Sequence, residues 1–172
     1  MDIRFVPATL DLSMALMDGV SSDMFKTEYR MLGDFEEDAV GQWLKLARAR
    51  GETQESDEVL MRLLVELHKK VDMLTDLVKN EEKKLLELPF EGRLSEIGFE
   101  NIKLEEGFLE VGKEYYCRIQ MPIFPAREMP MFLKATKADT AEIILIHEKD
   151  QKDWNIYVTA RERNMIREMK NL

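Results

Sequence analysis

The side chains able to do chemistry are few and scattered. The 172 residues hold one cysteine, Cys117, and two histidines, His68 and His147. A zinc centre needs several Cys, His or carboxylate ligands converging on one point. A nucleophilic triad needs a histidine within reach of its nucleophile. Here the two histidines lie far apart in sequence on different predicted elements, so neither constellation is expected. No G-x-x-x-x-G-K-[ST] or G-x-G-x-x-G run is present to cradle a phosphate. The carboxylate pairs Glu36/Glu37, Glu81/Glu82 and Glu105/Glu106 read as solvated faces and turns. Cys117 reads as a small apolar residue on a strand, with no partner for an internal disulfide. The expectation is a non-enzyme with no catalytic residue, no metal and no cofactor.

Composition is an ordinary soluble balance with a tilt toward exposed helix. The net charge is -9, with 45% apolar and 34% charged residues. Residues 1–88 carry 12 Lys/Arg against 19 Asp/Glu, a net of -7, and residues 89–172 carry 13 against 15, a net of -2. An acidic surface repels phosphate backbones, so no nucleic-acid partner is expected. Residues 1–22 include Asp2, Asp11 and Asp18 and do not read as a secretory signal. No apolar run reaches the roughly 18 residues of a membrane span. A cytoplasmic location is expected.

The elements that must position any site begin with a heptad seam. Leu60, Leu64, Leu67, Val71, Leu74, Val78, Glu81, Leu85 and Leu88 are spaced alternately by four and three, and only Glu81 is not apolar. Such a seam predicts a coiled coil. Leu64, Val71, Val78 and Leu85 take the a positions and the remainder the d positions. β-Branched residues at a with Leu at d favour a dimer, whereas Leu63 and Leu77 at g widen the apolar face toward a tetramer. A homo-oligomer, dimer or tetramer, is expected. Ser56 is the expected cap of this helix, and Pro89 ends it. Before it, helices are predicted over 22–32 with Gly33 as a stop, and from the capping pair Asp34/Glu37 to Gly51. Residues 1–20 mix a short β-like start with a Met- and Leu-rich stretch, and read as a docking arm or partner-facing segment.

Beyond Pro89 the pattern changes to a period of two. Strands are predicted at 90–94, 99–104, 115–121, 131–136, 143–146 and 154–158, with 143–146 the more central. Turns are marked by Glu105-Glu106-Gly107, Val111-Gly112-Lys113, the Pro122/Pro125/Pro130 loop and Lys149-Asp150-Gln151. Five or six short strands suggest a closed or nearly closed barrel. Thr159 and Glu162 read as the capping box of a last helix carrying Met165, Ile166, Met169 and Leu172. The fold class is therefore α+β: an N-terminal helical region over 1–55, a coiled-coil oligomerisation helix over 56–88, and a barrel with a C-terminal helix over 89–172.

This second half resembles a PilZ domain, the family that binds the bacterial second messenger cyclic di-GMP. Its motif pairs R-x-x-x-R ahead of the barrel with D-x-S-x-x-G on an early strand. The run Arg93-Leu94-Ser95-Glu96-Ile97-Gly98 keeps the Ser and the Gly, but Arg93 stands in place of the Asp. The strand, x-x-G-K, strand pattern ending in Met121-Pro122 and a closing helix with Arg161, Arg163 and Arg167 are also similar. The resemblance implies ligand contacts at Arg93, Ser95 and Gly98. The arginine pair is missing: the lead-in segment offers only Lys79, Lys83 and Lys84. Arginine meets phosphate or the guanine O6/N7 edge bidentately and stacks on bases, whereas lysine is a point charge. Loss of the Asp removes an acceptor for guanine N–H groups. A heptad helix joined to a PilZ-like barrel with a degraded site resembles the oligomeric PilZ-like proteins tied to bacterial motility, surface behaviour or virulence signalling. Two functions follow from the resemblance: an assembly or signalling adaptor with a protein partner, or a cyclic di-GMP receptor with an altered site.

Overall fold

The computed structural model describes residues 4–33, 39–78, 85–122 and 127–172. The chain divides into two compact units, residues 1–29 with 86–172, and residues 30–85.

The first unit is a closed antiparallel barrel of six strands. β1 is Val6–Leu16, β2 Phe90–Ile97, β3 Asn101–Leu104, β4 Glu114–Met121, β5 Arg127–Ala135 and β6 Thr140–Ile146. Their order around the barrel is β1-β2-β3-β6-β5-β4. β1 closes the barrel, since it pairs antiparallel with both β2 and β4. Val6, Ala8, Leu10, Leu12 and Met14 alternate inward and are buried. The segment read as a docking arm is thus an integral strand, and the N-terminal helical region expected over 1–55 is strand at its start. Closure leaves no unpaired edge along a fully paired strand, and burial of this apolar row drives it. The lumen is filled by side chains such as Leu94, Ile119, Met129, Met131 and Leu133.

The last helix, α4, spans Glu148–Lys170. Two expectations fail here. Residues 154–158 are helical, and Thr159 lies mid-helix, where its Oγ1 donates to the Asn155 carbonyl at 2.8 Å. Trp154 and Val158 are buried but Ile156 is 69% exposed. A strand would turn all three to one face, whereas spacing of 3.6 turns Ile156 outward. The Trp154 indole N–H donates to the Gly98 carbonyl at 3.0 Å and fixes the helix on the barrel. Pro130, expected in a loop, sits in β5 opposite Arg118. The apolar run of β6 is not central, because Ile144 and Leu145 are exposed.

Helix α1 spans Ser22–Gly33, as expected from its apolar face and terminal glycine. Asp18 Oδ1 accepts from the Val20 and Ser21 amides and from Ser21 Oγ, which shapes the turn leading into it. These bonds hold the Asp18 carboxyl below its ordinary pKa.

In the second unit, α2 is Ala39–Ala49 and α3 is Glu58–Val78. α2 stops at Gly51, whose φ of 74° closes the C-cap, with the Gly51 and Glu52 amides donating to the Arg48 and Ala47 carbonyls. Asp57, not Ser56, caps α3: its Oδ1 accepts from the Val59 amide at 2.9 Å. The expected capping pair Asp34/Glu37, the pairs Glu36/Glu37 and Glu81/Glu82, Pro125 and the lysines Lys79, Lys83 and Lys84 lie outside the described residues.

Candidate functional site

β2 carries all three residues of the motif run, but its geometry separates them. Arg93 faces out and is directly opposite Asp11 on β1. Its Nε donates to Asp11 Oδ1 at 3.0 Å. That hydrogen bond, with the nearby charge of Glu105, raises the Arg93 pKa further above its ordinary value. Ser95 sits where the β2–β3 register shifts, and its Oγ lies 3.4 Å from the carbonyls of both Lys103 and Leu104. Its hydroxyl is used to satisfy that irregularity. Gly98 closes the β2–β3 turn: its amide donates to the Asn101 carbonyl at 2.7 Å and its own carbonyl receives Trp154. A Cβ at Gly98 would meet the Arg4 carbonyl at 3.0 Å, so the glycine serves close packing. Arg161 is also spoken for, with its Nε donating to the Pro7 carbonyl at 3.0 Å.

Of these residues only Arg93 lines the cavity beside β2. It is an open groove of about 510 Å³ at the Phe90 end of β2, and Ser95 and Gly98 do not line it. Asp11, Glu91, Glu105 and Glu106 contribute carboxylates to its walls against the single guanidinium of Arg93. Phe90 and Phe108 stack beside it with ring centroids 5.4 Å apart. A ligand carrying two phosphates would face four carboxylates here, with the one arginine already paired. Charge of that sign repels anions.

α3 presents the heptad seam. Leu60, Leu64, Leu67, Val71 and Leu74 are all between 50% and 61% exposed. Leu63 at g is exposed beside them. Val78 is the last described residue of the helix. His68 at e pairs with Asp72, Nε2 to Oδ2 at 3.3 Å, as a flanking polar residue. The seam does not continue as helix to Leu88, because residues 85–88 are not helical. Leu86 and Leu88 instead pack against an aromatic cluster of Phe25, Tyr29, Tyr116 and Phe132. Leu85 and Leu88 therefore leave the helical seam.

The reason is a buried charge network that sequence reasoning missed. Glu28 on α1 and Arg118 on β4 have side chains only 3% and 7% exposed. Arg118 Nη1 donates to Glu28 Oε2 at 2.8 Å and to Oε1 at 3.0 Å. Tyr116 Oη donates to Glu28 Oε2 at 2.5 Å, and the Leu86 amide donates to Oε1 at 2.7 Å. Arg118 Nη2 in turn donates to the Leu86 carbonyl at 2.8 Å. Both backbone groups of Leu86 are consumed, so the chain cannot be helical there. Glu128 adds a second carboxylate 3.1 Å from Arg118 Nε, close enough for charge attraction although neither atom gains a well-aligned hydrogen bond. Burial and the Glu28 carboxylate push the Tyr116 hydroxyl well above its ordinary pKa. One signal was available. Glu28 lies on the apolar face of α1 with Phe25 and Leu32, and Tyr116 and Arg118 share the face of β4 that an exposed strand would make wholly polar.

His147 immediately precedes α4, stacked on Tyr29 at 3.8 Å, and its Nε2 donates to the Tyr29 carbonyl at 2.7 Å. An acceptor carbonyl requires the proton on Nε2, which fixes the ring in a packing role. Among the described residues no group of three or more His, Cys, Asp or Glu could hold a metal ion. No helix is long and apolar enough to cross a membrane among them either.

These features define a six-stranded barrel with appended helices. No protein-family model matches the chain, and no curated protein matches it. Among solved structures it is similar to a pathogenic protein from Xanthomonas campestris, described as a new tetrameric PilZ domain self-assembled via an unusual helical bundle. The identity is 17%, over 96% of this chain and 91% of that one, with a TM-score of 0.39. The family named there is the one that the sequence resembles. At that score the likeness supplies no detail of the site.

Proposed function

We propose that the chain is a non-catalytic, oligomeric signalling or assembly adaptor whose PilZ-like barrel carries a degraded cyclic di-GMP motif, working in the regulation of bacterial motility or surface behaviour. The observation that carries this reading is the uncovered seam of α3. Five apolar residues at heptad spacing stay half or more exposed in the single chain. A contiguous apolar stripe of that kind marks an interaction surface, and the heptad spacing suits another helix. The oligomerisation helix, expected over 56–88 and formed as α3 over Glu58–Val78, thus acts through Leu60, Leu64, Leu67, Val71, Leu74 and Val78. The barrel of 89–172, completed by β1, is left free to dock a protein partner.

The charge around Arg93 supports an adaptor over a receptor. Asp11 holds the guanidinium, and Glu91, Glu105 and Glu106 surround it. The discriminating experiment is calorimetric titration with cyclic di-GMP, with Arg93→Ala alongside. An adaptor gives no saturable heat and no rise in melting temperature at high nucleotide concentration. Ligand binding to the folded state raises that temperature. Saturable binding lost in Arg93→Ala would make the chain a receptor.

A further inference from the structure

The groove that is unsuited to a phosphate is suited to a cation-bearing strand. β3 pairs β2 only over residues 94–97 and ends at Leu104. Past that point, the Glu105 amide donates to the Arg93 carbonyl at 2.9 Å. Among the described residues no strand pairs β2 on that side beyond this bond. In an antiparallel ladder the groups facing one edge recur every second residue. The Arg93 carbonyl faces the β3 side, so the amide and carbonyl of Glu91 face it too, at the groove. A short vacant strand edge accepts an extended peptide by strand addition.

The side chains around that edge select the peptide. Phe108 lies over Gly92, where a Cβ would touch its ring at 3.7 Å, and it stacks on Phe90. Both rings are exposed, Phe90 at 43% and Phe108 at 37%. Ring faces attract guanidinium and ammonium groups, and Glu91, Glu105 and Glu106 supply the opposite charge. A backbone edge, a stacked aromatic pair and a surplus of carboxylates meet in one cavity of about 510 Å³.

We infer that this groove docks an extended, arginine- or lysine-bearing segment of a partner protein, which adds to β2 beside Glu91 and lays its cations on Phe90, Phe108 and the flanking carboxylates. The inference rests on the adaptor reading and names the partner class of its barrel.

The test uses the full chain and a fluorescent peptide alternating arginine with valine, read by anisotropy. Three comparisons accompany it: the peptide N-methylated at alternate residues, an acidic peptide of the same length, and a set of groove variants. Saturable binding is expected for the basic peptide alone. It should weaken roughly tenfold on N-methylation, in Phe108→Ser, and in Glu105→Lys/Glu106→Lys, the size of loss that removing a cation–π or charge contact brings. The variant Glu100→Lys/Glu168→Lys makes the same change of charge elsewhere and should bind as before. Equal weakening in that control, or binding indifferent to N-methylation, would reduce the effect to net charge and overturn the inference. So would no binding at all. The nucleotide titration fails separately: heat from cyclic di-GMP would overturn the adaptor reading itself, whereas silence there with no peptide binding overturns only the occupant named here.

Discussion

Removing either end of the Glu28–Arg118 pair should destabilise the barrel unit more than any surface change. The two side chains are almost fully buried, and Glu28 gathers donors from Arg118, Tyr116 and the Leu86 amide. Breaking a buried pair by deleting one partner leaves an uncompensated charge and costs about 3–5 kcal/mol. Arg118→Met strands the Glu28 carboxylate with only Tyr116 and Leu86. Glu28→Met leaves Arg118 with Glu128, which is more exposed and poorly aligned. At roughly 2–4 °C per kcal/mol for a chain of this size, each single variant should lose about 6–20 °C of melting temperature. The double variant removes both charges and should recover much of that loss, because apolar replacement of a buried pair is often neutral. Urea unfolding read by fluorescence of buried Trp154, in a Trp43→Phe background, measures the cycle. A coupling energy below about 0.5 kcal/mol would refute the reasoning, since contacting residues in one network couple by more than that.

Alkaline pH should destabilise the same unit. Burial, then the charge of Asp150, raises Tyr29 from 10.0 to about 12, and burial pushes the Cys117 thiol and the Tyr116 hydroxyl above their ordinary values. In each case the folded state keeps a proton that the unfolded chain releases. This stability is complete below pH ~9 and falls as pH rises from there toward 12, by up to about 1.4 kcal/mol per pH unit and group; a flat stability from pH 9 to 11 would contradict it. Gly98→Val should cost about 1–3 kcal/mol through overpacking against the Arg4 carbonyl, read as a lower urea midpoint. Trp154→Phe keeps an aromatic side chain but loses the indole N–H and orphans the Gly98 carbonyl, and should cost at least about 1–3 kcal/mol in the same assay.

The barrel was legible wherever period two met β-branched or aromatic residues, as in β4 with Tyr115, Cys117, Ile119 and Met121. β1 obeys the same period through Val6, Ala8, Leu10, Leu12 and Met14. Its leucines, methionines and alanines are helix formers by intrinsic preference, and that weak signal obscured the stronger alternation. The opposite error befell α4. Trp154, Ile156 and Val158 alternate over only a few residues, too short to separate strand from helix, and the exposed Ile156 reveals the true period. The Glu28 network was hidden for a different reason. Its members come from α1, the segment at Leu86, and β4, and only tertiary packing unites them. The motif run at Arg93, Ser95 and Gly98 was visible as a string, but a string does not say that Ser95 satisfies an irregular register or that Gly98 seats a tryptophan.

The central claim is assembly through α3, and light scattering on the full chain eluting from a sizing column tests it most directly. Each described seam residue is about half exposed, so covering it contributes roughly half of the 1.5–3 kcal/mol for a fully buried side chain. Over five residues on each of two helices this gives about 8–15 kcal/mol, comparable with the cost of bringing two chains together, so contacts beyond these five residues tip the balance. Leu67→Asp removes one such contribution and buries a carboxylate in each chain, a penalty of several kcal/mol. The account predicts a wild-type mass of two or four chains and a single-chain mass for Leu67→Asp with its barrel still folded. A wild-type chain that elutes at single-chain mass at tens of micromolar, or a Leu67→Asp variant with an unchanged oligomer, would contradict it.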